Sequence, residues 1–194
     1  LGTMAAFRGC AFLTSGGSSV SIVNEQFRFL GNGTILFFPV PILVLLAVLV
    51  LFAVLLNTTV VGRNIYAIGG NPTVARLAGI PIRRYQIAIY VISGLAAGLA
   101  GLLLASRTMS GQPASGSQGL ELEAITAAIL GGCALQGGKG TVVGALLGVL
   151  IIGVLNNGMI LTSVPTFYQL IAKGALLILA VYIQERQLRR AGEA

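Results

Sequence analysis

Residues Ile35 to Leu56, ILFFPVPILVLLAVLVLFAVLL, run for 22 positions without one polar side chain. A helix of about 20 such residues matches the hydrocarbon thickness of a bilayer, where the backbone must satisfy its own hydrogen bonds. The stretch therefore reads as a membrane-spanning helix. Pro39 and Pro41 stand near its start, where a missing N–H costs least, which puts the helix proper from about Val40 to Leu56. The rest of the chain agrees: of 194 residues 56% are hydrophobic and 9% charged, whereas a soluble domain carries about 25% charged residues.

A second span is predicted from Tyr85 to Ala105, between Arg83-Arg84 and Arg107. Ala124 to Leu135 offers only 12 apolar or small residues, about 18 Å of helix against a core of about 30 Å. It reads as a short, tilted or broken helix buried among others. Thr141 to Leu155 and Phe167 to Ile183 supply two more helices, joined by the polar, Pro-containing stretch Asn156 to Thr166. Leu1 to Leu13 is a short apolar segment carrying Arg8, followed by a Ser/Gly-rich loop, and suits a helix end or interfacial helix. It lacks the basic start and long apolar core of a signal peptide. The expected fold is an all-α integral membrane protein: a polytopic helical bundle, residues 1–194 forming one domain with about five membrane passages. The Leu start leads to the expectation that this is the C-terminal portion of a longer subunit.

The net charge is +7, and its distribution sets the predicted topology. With residues 58–84 cytoplasmic, that side also holds Lys139 and the tail. It then carries Arg63, Arg76, Arg83, Arg84, Lys139, Arg186, Arg189 and Arg190, against Arg8, Arg28 and Arg107 outside, with Lys173 in the membrane. That is the positive-inside bias, and the opposite orientation inverts it. The basic residues are scattered and not interleaved with aromatics, so no nucleic-acid partner is expected.

Catalysis is constrained by the same inventory. There is no His and no Asp, and Cys10 and Cys133 are isolated, so a Ser-His-Asp triad, a Cys-His pair and a zinc cage are all out of reach. No enzyme activity, metal or bound cofactor is expected. The run Gly137-Gly138-Lys139-Gly140-Thr141 superficially resembles a phosphate-binding loop, but Gly140 separates the Lys from the Thr and the flanks are membrane helices. It is a tight turn.

Small residues recur at four-residue spacing at Gly94 and Gly98, and at Gly140, Gly144 and Gly148, which permits close helix packing in lipid. Lys173 falls about two turns inside the last helix, where a charge either faces a cavity or snorkels. Asn156 and Asn157 either bind a polar solute or cap their helix. Together with Gln136 they are neutral groups suited to a hydroxyl-rich solute. The polar loop Val61 to Arg84 contains one predicted helix, Asn71 to Leu77: Asn71 caps it, Pro72 suits its first turn, and Gly79 suits its C-terminal side before Pro81.

On these residues the chain resembles the permease subunits of bacterial ABC sugar importers, in the ribose-type branch of the branched-chain permease superfamily. The resemblance rests on GRNIYAIGGNPTVARLAGI (Gly62 to Ile80), LEAITAAILGG (Leu122 to Gly132), GGKGTVVGALLG (Gly137 to Gly148) and IIGVLNNGM (Ile151 to Met159). It implies a plasma-membrane subunit that pairs with a second permease chain, receives a sugar such as ribose from a periplasmic binding protein, and is driven by a separate cytoplasmic ATPase. It further implies that Gly69, Gly70, Asn71, Pro72, Ala75, Arg76, Leu77, Gly79 and Ile80 form the ATPase-coupling loop and its short helix. Gln136, Asn156, Asn157 and Lys173 are then pathway candidates. The rivals are a secondary carrier or pore without an ATPase, and a truncated, non-transporting remnant. Ion coupling calls for acidic or His residues in the spans, and Glu25, Glu121, Glu123, Glu185 and Glu193 all fall at or outside the predicted membrane edges.

Overall fold

A computed structural model describes residues 2–113 and 119–192. Leu1, the middle of the 106–123 loop, the side chains of Arg189 and Arg190, and Glu193 lie outside the described residues. In chain order the elements are α1 (Gly2–Ser15), β1 (Val20–Ser21), α2 (Glu25–Asn32), β2 (Thr34–Ile35), β3 (Phe38–Pro39), α3 (Val40–Thr58), α4 (Val60–Gly70), α5 (Pro72–Leu77), α6 (Ile82–Thr108), β4 (Ser110–Gly111), α7 (Leu120–Leu130), α8 (Val142–Leu161) and α9 (Thr166–Gly192). Among the described residues four helices are long and apolar enough to cross a membrane: α3, α6, α8 and the Thr166–Arg186 part of α9. The fifth expected passage is α7, which has 11 residues, about 16 Å. It is a short helix, as its composition predicts.

The helix boundaries follow local chemistry. α3 starts at Val40 with Pro41 in its first turn, as expected. α8 runs six residues past the predicted end at Leu155, so Asn156 and Asn157 lie inside it and not at its end. The propensity cost of an Asn is about 0.7 kcal/mol, less than the several kcal/mol of a backbone group left unsatisfied in lipid, so the helix continues. α4 is a correction of a different kind, because residues 60–70 were expected to be loop. Thr59 Oγ1 accepts a hydrogen bond from Gly62 N at 3.2 Å and caps an 11-residue helix there.

The chain divides into two compact units, with breaks after Leu51 in α3, after Ile82 at the start of α6, and in the loop before Gly119. In the first unit, Asn24 caps α2 through its Oδ1, and α2 lies against the end of α6. Gly31 is so close to the Ser106–Arg107 backbone that a Cβ there would collide with it. The fully buried Ser106 donates its hydroxyl to Phe27 O, and β1 pairs antiparallel with β4, Val20 opposite Gly111. The segment before α3 and the one after α6 therefore meet at one end of this unit, as expected of two loops on the same face. An apolar groove between α3 and α6, lined by Val44, Leu45, Val48, Leu99 and Leu103, has Arg107 as its one charged lining residue. It suits hydrocarbon and not a hydroxyl-rich solute.

In the second unit, α7, α8 and α9 pack together and α4 carries α5. The α7–α8 crossing is made by the small-residue stripe. A Cβ on Gly148 would overlap Ala127 O, and one on Gly144 would overlap Gly131 O, so the backbones touch as small residues allow. The spacing rule does not act evenly along the chain. Gly140 belongs to the turn before α8 and lies against Cys133, while Gly94 and Gly98 meet nothing within 4 Å beyond their own helix among the described residues.

Candidate functional site

Two features of the second unit carry chemistry or mechanics. The first is the 58–82 part of the 58–84 segment. Asn71 ends α4 and starts α5: its N–H bonds Ala67 O at 3.1 Å, while its Oδ1 accepts from Thr73 N at 3.0 Å and Val74 N at 3.1 Å. Pro72 occupies the first turn. At the other end Gly79 has φ +79°, Gly79 N bonds Arg76 O at 3.0 Å and Ile80 N bonds Ala75 O at 3.1 Å. That pair of bonds closes the helix with a left-handed cap that glycine enters without strain. Replacing Asn71 by alanine is expected to weaken this helix by about 1 kcal/mol. Amide exchange of Thr73 and Val74 should then speed up about five-fold, and an unchanged rate would show that the cap carries no weight.

α5 is bound on one side only. Ala75 is 3% exposed, whereas Leu77 is 84% and Val74 59% exposed, and Arg76 points to solvent beside them. The outward face of this capped six-residue helix is therefore both apolar and basic. Its mounting is rigid. Gly69 and Gly70 at the end of α4 lie backbone to backbone against Gly137 and Gly138, so that a Cβ on Gly69 or Gly138 would strike the opposing backbone. Tyr66 Oη also donates to Gly140 O at 2.9 Å. The loop glycines and the GlyGlyLysGly turn, read separately in the sequence, form one interlock. Gln184 of α9 joins it by donating from Nε2 to Cys133 O at 2.8 Å. Residues 58–82, the α7–α8 turn and the distal part of α9 thus sit at one end of the unit.

The second feature lies towards the other end. Lys173 on α9 forms an ion pair with Glu123 Oε1 on α7, and Asn156 Nδ2 on α8 donates to Glu123 Oε2 at 3.4 Å. Three helices thus each contribute one polar side chain. The side chains of Lys173 and Glu123 are 31% and 23% exposed. Lys173 lies within the membrane-length part of α9, and the ion pair brings Glu123 alongside that helix. Of the four pathway candidates the structure joins Asn156 and Lys173. Asn157 is exposed on the next position of α8, and Gln136 is exposed in the α7–α8 turn. Glu123 is the residue that sequence reasoning missed, and the signal for it was Lys173, a membrane charge in need of a partner.

Comparison with known proteins follows the same lines. A family model described as branched-chain amino acid transport system, permease component, matches residues 1–181. The chain is 46% identical, over 98% of its length, to the L-arabinose ABC transporter permease protein AraH of Azospirillum brasilense. It is 43% identical, over 96%, to the ribose import permease protein RbsC of Bacillus subtilis. Over 79% of its length it is 45% identical to the xylose transport system permease protein XylH of Escherichia coli. It spans 57%, 58% and 39% of these relatives respectively. No solved structure matches.

Proposed function

This chain belongs to the family of branched-chain amino acid transport system permease components, and from that premise we propose that it forms part of the membrane pathway of an ATP-driven sugar importer. The substrate class proposed is the aldopentoses, the sugars named for the arabinose, ribose and xylose relatives. ATP is hydrolysed on a separate cytoplasmic subunit, a binding protein delivers the sugar, and a second permease chain completes the pathway. The 58–84 segment and the end of α9 face the cytoplasm of the plasma membrane.

The observation that carries this reading is α5: a short helix capped at both ends, offering Val74, Arg76 and Leu77 outward and mounted on membrane helices by backbone contact. A helix serving as a solvated linker needs neither cap nor mounting. Docked in an ATPase groove, α5 moves with the ATPase dimer as it closes. The Gly69–Gly70 and Gly137–Gly138 interlock passes that displacement to the α7–α8 turn as a rigid-body shift.

Replacing residues 71–80 by a Gly/Ser linker in the complete permease is expected to abolish co-purification of the ATPase while the membrane fold survives. Equal co-purification without α5, or none with it, would refute the coupling role. Gly79→Val is the finer test. A β-branched residue at φ +79° costs about 1–2 kcal/mol, enough to unlatch the α5 C-terminus. Sugar uptake and sugar-stimulated ATP hydrolysis should both fall. Unchanged values of both would show that the cap has no part in coupling.

A further inference from the structure

We infer that Glu123, Lys173 and Asn156 form a hydroxyl-binding station for the sugar on its way through the membrane. This deepens the importer reading and rests on it. Within this chain the pair is not sealed: about a third of the Lys173 side chain and a quarter of the Glu123 side chain remain open. An ion pair left open to hydrocarbon would keep much of the cost of a membrane charge, a cost that water or a polar solute on the open side removes.

The chemistry of the three groups selects what that solute is. The pair is net neutral, so it neither traps an anion nor repels a cation. A lone Lys or a lone Glu at this depth would do one or the other. Between them an ammonium, a carboxylate and a carboxamide present donors and acceptors within a single cluster, and a carboxylate accepts from two neighbouring hydroxyls at once. A neutral compound with adjacent hydroxyl groups matches that set. Two of the groups come from helices joined by one turn, which lies against the end of α4 that carries α5, and the third comes from α9, which is tied to the same turn. Gly137–Gly138 meets Gly69–Gly70, and Gln184 of α9 is tied to Cys133. A displacement of that turn reaches α7, α8 and α9 together, and opening or tightening the Glu123–Lys173 pair then changes how many of its hydrogen bonds are free for the sugar.

The experiment uses the complete transporter, with its ATPase and binding protein, in proteoliposomes supplied with labelled L-arabinose, ribose and xylose. For Glu123→Gln, and for Glu123→Leu combined with Lys173→Met, sugar moved per ATP hydrolysed should fall about ten-fold, the loss of one charge-assisted hydrogen bond, while the ATPase still co-purifies. Native stoichiometry in both variants would overturn the station and leave the importer reading intact. No ATP-dependent uptake of any of the three sugars by the native assembly would instead remove the importer reading and the station with it. Asn156→Cys, made with Cys10→Ala and Cys133→Ala, leaves the ion pair in place and gives an independent readout. A water-soluble methanethiosulfonate should label it, more slowly when the transported sugar and binding protein are present. No labelling would show a sealed structural clasp and overturn the proposal.

Discussion

Gly148→Ala is expected to cost about 3 kcal/mol of stability, although it adds only one methyl group to a membrane helix. The Cβ would be built onto Ala127 O, a backbone atom that cannot rotate away. α7 and α8 would have to separate along their whole contact, which loosens Gly144 from Gly131 as well. The control is Gly153→Ala on the same helix, where a Cβ meets nothing within 4 Å beyond its own helix among the described residues. That change should be neutral or stabilising by up to about 1 kcal/mol through backbone entropy. Denaturant or thermal unfolding in detergent compares the two. Equal effects would mean that α7 and α8 do not meet backbone to backbone. Because α7 is too short to span alone, loosening it should also lower the fraction of protein that reaches the membrane folded.

Glu123→Leu alone should be about as damaging, for an electrostatic reason. It leaves Lys173 without its carboxylate on a membrane-length helix, and an uncompensated charge there costs about 3 kcal/mol. Adding Lys173→Met removes the orphaned charge and should recover most of the lost stability, since apolar replacements of an ion pair are often neutral. The two changes are then strongly non-additive. A double variant as unstable as Glu123→Leu would show that Lys173 finds another partner or snorkels, and that the pair is not what holds α7 to α9. Stability and transport should part company here: the double variant folds, but the proposed sugar station is gone.

The segments legible in the sequence are those whose physics is local. α3 follows from a run of apolar side chains in a solvent that satisfies no backbone groups. α5 follows from Asn71, Pro72 and Gly79, because caps act within three or four residues of the atoms they satisfy. α4 was lost because Gly62, Gly69 and Gly70 dilute its pattern, and only the structure shows why glycine is there. Gly69 and Gly70 leave room for the α7–α8 turn, and Gly62 leaves room for the Leu55 and Leu56 carbonyls. The Gly94 and Gly98 stripe has the same spacing as Gly144 and Gly148 but meets nothing outside its own helix among the described residues. Spacing measures how closely a neighbour can come and does not say which neighbour does.

By itself, then, the sequence determined that the chain belongs in a bilayer, which stretches are long and apolar enough to cross it, where the short capped helix begins and ends, and which family its motifs resemble. These are properties of side-chain solvation and of bonds between near neighbours. Only the tertiary structure decided that Glu123 belongs with Lys173, 50 residues away, and that the Gly69–Gly70 and Gly137–Gly138 pairs are one joint. Both depend on how deep a short helix sits and how closely two backbones approach, and those distances are set by packing and not by any local run of residues.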